Sequence, residues 1–200
     1  RGNGVIYING GTIVAKAGGL DEDSDEHGAG IGGGSEGSQD NPIYITGGDI
    51  KAYGGICGAG IGGGADGQGT EETAPWRPVV TIPKPGNTYI SGGVVTATTT
   101  PNPTETENGA GIGCWAGKTD GGEVVISGGV VFAHSTGLGA GIGSGRTMGS
   151  SGGKIKISNA YVVATSYEGA GIGSQGSWSD NHVRAGETVE ITDSYVFAAS

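Results

Sequence analysis

The chain has few of the residues that nucleic-acid-binding and membrane-spanning proteins require. It holds 10 Lys and Arg against 20 Asp and Glu in 200 residues, for a formal net charge of −10. Phosphate backbones and anionic membrane surfaces are bound by basic patches. The excess of acidic residues in this chain therefore disfavours nucleic acid and membranes as partners. Apolar runs end after about four or five residues, far short of a membrane span. The sequence therefore predicts no nucleic-acid partner and no transmembrane segment.

Cysteine is also scarce, with Cys57 and Cys114 as the two copies. Cys57 precedes one copy of the motif GAGIG, whereas Cys114 follows another. If these copies stack, the sulfur atoms lie about six strand residues, or roughly 20 Å, apart, which is too far for a disulfide. We expect two thiols, and their number does not indicate a cellular compartment.

Glycine, by contrast, accounts for 47 residues and is concentrated in two repeated motifs. The first motif, GAGIG, occupies residues 28–32, 58–62, 109–113, 139–143 and 169–173. The second reads INGGTIVA, ITGGDIKA, ISGGVVTA and ISGGVVFA in successive copies, and it degrades to ISNAYVVA and ITDSYVFA. Variable loops separate the two motifs. Fixed motifs joined by loops of changing length are typical of a solenoid.

Apolar residues alternate with period two in three short segments of each cycle, which predicts three strands per cycle. In the first cycle the positions predicted to point inward are Ile6, Ile8, Ile13, Ala15, Ala29 and Ile31. We predict an all-β fold, a right-handed parallel β-helix (solenoid) of about five and a half coils. Residues 1–200 are expected to form one domain, a piece of a longer chain. Coils are expected to start near residues 4, 42, 87, 122, 153 and 187, with a long proline-rich insert at 67–86 and an exposed polar loop at 98–108.

The glycines of GAGIG leave two explanations open. With Ala29 and Ile31 inward, Gly28, Gly30 and Gly32 face outward as nearly bare backbone, on which another chain or a flat ligand could dock. Alternatively, the glycines relieve corners that need positive φ or leave room for other parts of the solenoid.

A strand ending in GG, a V-x-A strand and GAGIG, recurring with loops between, resemble the glycine-rich β-helical repeats of large secreted or surface-anchored bacterial proteins. More distantly, the pattern is similar to the pectate-lyase-like β-helix superfamily, which includes lyases, galacturonan hydrolases and non-catalytic sugar binders. The resemblance implies an extracellular, adhesin-like or carbohydrate-associated module of a larger protein.

Catalytic residues of those enzymes are not evident in this sequence. Galacturonan hydrolases need clustered aspartates beside a histidine and basic residues, whereas Asp49 is the one acid on a second strand before the last coil. The nearest equivalents of the family's GHG and RIK stretches are EHG at 26–28 and KIK at 154–156. His27, His134 and His182 are expected on different loops. We therefore predict that the chain is not an enzyme and has no catalytic residues.

Two loop features are candidates for ligand binding. Asp21, Asp23 and Asp25 have a D-x-D-x-D spacing that can place oxygen ligands around Ca²⁺, although a solvated acidic loop is the alternative. Calcium is thus the one cofactor the sequence suggests. The three tryptophans, Trp76, Trp115 and Trp178, each follow a GAGIG motif. They either form a platform for sugar rings or fold back as lids over the solenoid.

Outward positions give two further predictions. Tyr7, Tyr44 and Tyr89 occupy the same outward position in three successive first strands and are expected to stack as a structural ladder. On the second strands, outward residues become apolar toward the C-terminal end. The predicted partner interface consists of Val130, Phe132, Tyr161, Val163, Tyr195 and Phe197.

These observations favour a non-catalytic structural or adhesive solenoid on the bacterial cell surface, able to assemble into a fibre or stalk. Its partners would be other protomers or adjacent domains of the parent chain. The alternative is a carbohydrate-binding module that holds a glycan on the tryptophans, and a polysaccharide lyase or hydrolase is the third reading.

Overall fold

The computed structural model describes residues 4–18, 28–34, 42–55, 57–64, 86–101, 109–114, 122–145, 153–174 and 188–200. These residues form seventeen β-strands, β1 to β17 in chain order, which pair in parallel within three sheets. Sheet A contains Ile6–Ile8 (β1), Ile43–Ile45 (β4), Thr88–Ile90 (β7), Glu123–Ile126 (β10), Lys154–Ser158 (β13) and Thr188–Thr192 (β16). Sheet B contains Thr12–Lys16 (β2), Asp49–Gly54 (β5), Val94–Thr99 (β8), Val130–Ser135 (β11), Tyr161–Ser166 (β14) and Tyr195–Ala199 (β17). Sheet C contains Ile31–Gly32 (β3), Ile61–Gly62 (β6), Ile112–Gly113 (β9), Ile142–Gly143 (β12) and Ile172–Gly173 (β15).

Each coil passes through sheets A, B and C in turn, and each strand pairs with its equivalents in the neighbouring coils. Five coils contain all three strands, and the sixth contains β16 and β17. The predicted right-handed parallel β-helix is thereby confirmed, including its number of coils and its three strands per coil. Among the described residues, none belongs to a helix that could cross a membrane.

The core consists of side chains from all three sheets, stacked in register from coil to coil. Alternation places every second strand residue inside, so that equivalent residues form ladders. The central ladders are Ile45–Ile90–Ile126–Ile157 in sheet A, Ile50–Val95–Val131–Val162 and Ala52–Ala97–Ala133–Ala164 in sheet B, and Ile61–Ile112–Ile142 in sheet C. Burial of one such isoleucine or valine contributes about 2 kcal/mol, and the repeat supplies these contacts in every coil.

One ladder of the core includes a polar side chain without a hydrogen-bond partner in the described part of the chain. Thr88 stands in a sheet A ladder between Ile43 and Val124. Its side chain is buried, and its hydroxyl has no hydrogen-bond partner among the described residues. A buried hydroxyl without a partner lowers stability, because folding removes it from water and returns no hydrogen bond.

The strands of sheet B run beyond the V-x-A motif. β8 continues through Thr98 to the buried Thr99, which corrects the expectation of a loop from residue 98. At the equivalent position in the next coils, the buried hydroxyl of Ser135 donates to the carbonyl of Gly109 at 3.0 Å, and that of Ser166 accepts from the amide of Gly169 at 2.8 Å. These hydrogen bonds tie the end of the second strand to the GAGIG segment.

The GAGIG segments contribute only an Ile-Gly pair to sheet C. The remainder of the motif is a short closed loop, since the amide of Ala140 donates to the carbonyl of Ser144 at 2.8 Å. Ala110 and Cys114 form the same hydrogen bond one coil earlier. The third strand is therefore shorter than the alternation of Ala and Ile suggested.

The middle glycines of GAGIG face protein backbone. Gly60, Gly111 and Gly141 are buried, and a Cβ added to Gly141 would lie 2.6 Å from the carbonyl oxygen of Gly171 and 2.7 Å from the amide nitrogen of Thr165. The idea of an open glycine face for another chain or ligand is wrong for these coils. The other explanation is confirmed. The middle glycines leave room for the backbone of neighbouring strands. The last glycine of the motif, such as Gly143 with φ of 133°, has a backbone conformation that other residues rarely adopt.

The corner between sheets A and B changes along the solenoid. In the fourth coil, where the motif reads ISGGVVFA, the second glycine of this corner is Gly129, with φ of 88°. In the fifth coil Asn159, one position earlier, takes the left-handed conformation with φ of 51°, which asparagine tolerates better than most residues. Ala160 then occupies the glycine position and packs against the core. The degenerate motif ISNA is thus a different solution for the same corner.

The last coil is only partly covered. Val189 and Ile191 occupy the inward positions of the repeat, since they pair in register with the buried Ile155 and Ile157. Both are nevertheless exposed, because β16 has a neighbouring strand on one side only within the described residues.

Candidate interaction surface

The outward side of sheet B carries a contiguous apolar area, called here the apolar patch. Its residues are Val130, Phe132, Tyr161, Val163, Tyr195 and Phe197, the six that the sequence pattern grouped. They come from β11, β14 and β17, which are adjacent in the sheet. Phe132, Tyr161, Tyr195 and Phe197 are 39% to 58% exposed, and the two valines are half-buried. Their role as an interface stays a prediction, but their placement on one surface is a property of the fold.

Strand register assembles the patch into two columns. Val130, Tyr161 and Tyr195 align in one column, and Phe132, Val163 and Phe197 align in the other. The rings of Tyr161 and Tyr195 stack with centroids 4.7 Å apart and planes 7° apart. Because coils are separated by one strand spacing, residues about thirty positions apart in sequence become direct neighbours.

The same columns extend beyond the predicted six residues. Val94 in β8 precedes Val130 in its column and is also exposed. Sequence reasoning missed Val94, although its place in the motif ISGGVVTA is the one that Val130 occupies in ISGGVVFA. Nearer the N-terminal end, Asp49 and Lys51 are exposed at the equivalent positions and interrupt the apolar character of the face.

One histidine lies beside the patch. His134 belongs to β11, which corrects the expectation that it lies on a loop. Its Nδ1 is 2.8 Å from the hydroxyl of Thr165, the register partner in β14. This contact satisfies the ring nitrogen within the sheet. The other two histidines, His27 and His182, lie outside the described residues.

Sheet A carries the predicted tyrosine ladder. Tyr44 stacks on Tyr7 and on Tyr89, with ring centroids 5.1 Å apart in both pairs and planes 9° and 13° apart. The Tyr89 hydroxyl accepts from Asn87 Nδ2 at 3.0 Å and lies 3.4 Å from Glu123 Oε2. Stacking covers both faces of the Tyr44 ring, so this ring has no free face for a sugar. The ladder fits the structural role expected of it.

Sheet A also carries an exposed ion pair nearer the C-terminal end. Lys156 and Glu190 are register partners, with Lys156 Nζ 3.9 Å from Glu190 Oε2 and both side chains about half exposed. An exposed pair of this kind contributes little to stability. In the described part of the chain, no group of three or more His, Cys, Asp or Glu residues is arranged to hold a metal ion.

The loop predictions fall outside the described residues. These include the calcium candidates Asp21, Asp23 and Asp25, the tryptophans Trp76, Trp115 and Trp178, and most of the insert at 67–86. Calcium binding and glycan binding stay predictions. Cys57 and Cys114 are described, and both are thiols, with Cys57 half-buried and Cys114 buried.

Comparison with known proteins agrees with this architecture. The family model described as a beta helix repeat matches residues 6–35, 43–65, 89–117, 124–146 and 155–177, which together make up more than half of the chain. Each matched segment begins in a sheet A strand and ends shortly after the sheet C strand of the same coil. No curated protein and no solved structure matches the chain. The chain therefore belongs to the beta helix repeat family.

Proposed function

We propose that the chain is a non-catalytic structural or adhesive module of a bacterial cell-surface protein, which acts through protein contacts at the apolar patch. The observation that carries the proposal is the change of one outward face from Asp49 and Lys51 near one end to Phe132 and Phe197 at the other. A contiguous exposed apolar patch bordered by polar residues often marks a contact site. The partner would be another copy of the chain or an adjacent domain of the parent protein.

The proposal of a non-catalytic role is supported by the positions of three of the described carboxylates. Asp49 lies on sheet B in the second coil, whereas Glu123 and Glu190 lie on β10 and β16 of sheet A, with β13 between these two strands. Glycoside hydrolases need two carboxyl groups about 5 to 9.5 Å apart on either side of the scissile bond. Most of the inward positions are filled by apolar side chains that pack in ladders.

An activity assay tests this part of the proposal. The chain is incubated with neutral and acidic polysaccharides, and new reducing ends and unsaturated products are measured. We expect neither product at any pH between 5 and 9 with or without Ca²⁺. A product that forms in proportion to the concentration of the pure chain would show that the module is an enzyme.

The contact at the patch is tested by the double change Phe132→Ser with Phe197→Ser. Both side chains are already partly exposed, so thermal stability should change little, while association with a copy or an adjacent domain should be lost in light scattering. Unchanged association would show that the patch is not the contact.

Carbohydrate binding by the tryptophans is the alternative function. A glycan array separates the two, because the structural module is expected to give no signal above background. Binding that disappears when Trp76, Trp115 and Trp178 are changed to alanine would favour the sugar-binding module instead.

A further inference from the structure

We propose that the apolar patch is a two-fold contact between two copies of this chain, in which the coils of the two copies run in opposite order. This inference rests on the proposed function and deepens it, since it selects one occupant for the patch and one orientation.

The apolar patch is the part of the surface on which the charge does not oppose a second copy. Each chain has a formal net charge of −10, so two copies repel each other over most of their surfaces. The outward positions of β11, β14 and β17 carry no Asp, Glu, Lys or Arg; they hold Val130, Phe132, His134, Tyr161, Val163, Thr165, Tyr195, Phe197 and Ala199. An uncharged apolar surface is complementary to itself, as a two-fold contact requires.

The shape of the patch is also complementary to itself. In one column the half-buried Val163 lies between Phe132 and Phe197, which are both exposed. The valine leaves a hollow between two larger rings. When two sheets pack face to face with a shift of one coil, Phe132 of each copy fits over Val163 of the other, and interdigitation of this kind gives well-packed interfaces.

The position of Lys51 favours one relative orientation of the two copies. This residue stands in the same column as Phe132, in the middle of the outward face. If the two-fold axis were parallel to the solenoid axis and passed through this middle column, the column would lie against itself and the two Lys51 side chains would oppose each other, which is unfavourable. If the two-fold axis is instead parallel to the strands, the coils of the two copies run in opposite order and the apolar ends of the two copies meet. Asp49 and Lys51 of each copy then extend beyond the contact.

The small size of the patch favours a weak dimer. Stable complexes bury ~800 Å² per partner, whereas the patch comprises six outward side chains from three adjacent strands. We therefore expect a dissociation constant on the order of 10–100 μM and a monomer at high dilution.

Sedimentation velocity of the full 200-residue chain tests the dimer. From ~1 μM to ~1 mM, the weight-average mass should rise from that of one chain toward that of two. The variant Phe132→Lys with Phe197→Lys should remain a monomer throughout, because its charges would be buried in the contact. Thermal unfolding of both proteins verifies that the variant is folded.

The matched control is Val14→Lys. Val14 is 59% exposed and takes the equivalent outward position in the first coil, as its pairing with Lys51 shows. It lies outside the proposed contact, so this variant should dimerise like the original chain. If Val14→Lys weakens the dimer as much as the double variant does, the contact is not at the patch and the inference is wrong.

A spin label at position 14 tests the orientation. Val14→Cys is labelled in a chain with Cys57→Ser and Cys114→Ala, after its stability and dimerisation have been verified. Opposite coil order separates the two labels by more than about 30 Å, whereas parallel coil order brings them within roughly 20 Å. Pulsed electron resonance distinguishes these distances, and the shorter one would overturn the proposed orientation.

A monomer at every concentration would overturn the inference as a whole. That result would leave the non-catalytic role in place, because the polysaccharide assay tests it separately. Conversely, a dimer together with catalytic products would retain the contact and remove the proposed function.

Discussion

Gly141 and Gly171 are equivalent residues of neighbouring coils, and the carbonyl oxygen of Gly171 occupies the space that a side chain at Gly141 would need. A Cβ on Gly141 would lie 2.6 Å from that oxygen and within 2.8 Å of the Thr165 backbone. All of these neighbours are main-chain atoms of packed coils, so none can move aside cheaply. The glycine is required by the approach of its neighbours.

Gly141→Ala is accordingly expected to lower the free energy of unfolding by about 3 kcal/mol, measured by chemical denaturation. Gly10→Ala is the matched control, since a Cβ at Gly10 meets nothing within 4 Å. That variant should stay within about 0.5 kcal/mol of the original chain. Equal effects of the two changes would contradict the backbone contact as the reason for glycine in GAGIG.

The central ladder of sheet C gives a test of the core. Ile142 is completely buried and pairs in register with Ile112 and Ile172. Ile142→Asp would bury a charge without a partner and should prevent folding, whereas Ile142→Val should cost only about 1 kcal/mol. Circular dichroism and denaturation distinguish the two. A stable, folded aspartate variant would show that the side chain does not lie in the core.

Thr88 and Thr99 are both buried, but changing each to valine is expected to shift the stability in opposite directions. Thr88→Val removes a hydroxyl without a hydrogen-bond partner and should raise stability by about 1 kcal/mol. The Thr99 hydroxyl lies 2.9 Å from the Thr136 hydroxyl and accepts from the Thr136 amide at 2.9 Å. Thr99→Val should therefore lower stability by about 1–2 kcal/mol. Thermal unfolding measures both, and changes of the same sign would be inconsistent with these contacts.

The tyrosine ladder should contribute to stability without any ligand. Tyr44 has two stacked neighbours, whereas Tyr7 is stacked on Tyr44 alone among the described residues. Tyr44→Ala is expected to cost about 1–3 kcal/mol, and Tyr7→Ala about half of that. Tyr44→Phe preserves the ring and should be nearly neutral. A loss of glycan binding with no loss of stability in Tyr44→Ala would assign the ladder to ligand binding instead.

The fold and the apolar patch could be predicted because both depend on alternation within short repeated segments. Ile45, Ile90 and Ile126 recur at the same place in their motifs. Once one of them is assigned to the inside of the solenoid, the equivalent residues of the other coils must lie inside as well. The same alternation assigns Phe132 and Phe197 to the outside. The length of sheet B strands was less predictable, since Thr99 and Ser135 are kept in their strands by hydrogen bonds to distant backbone.

The sequence by itself determined the order of strands, their register and the side on which each residue lies, because these follow from a period of two repeated in every cycle. The tertiary structure alone decided what surrounds Gly141, Thr88 and Asn159. Gly141, for example, lies against backbone atoms of the next coil, about thirty residues away along the chain. The tertiary structure also decided that β16 leaves Val189 and Ile191 exposed, since burial of an inward residue depends on a neighbouring coil as well as on its own position in the repeat.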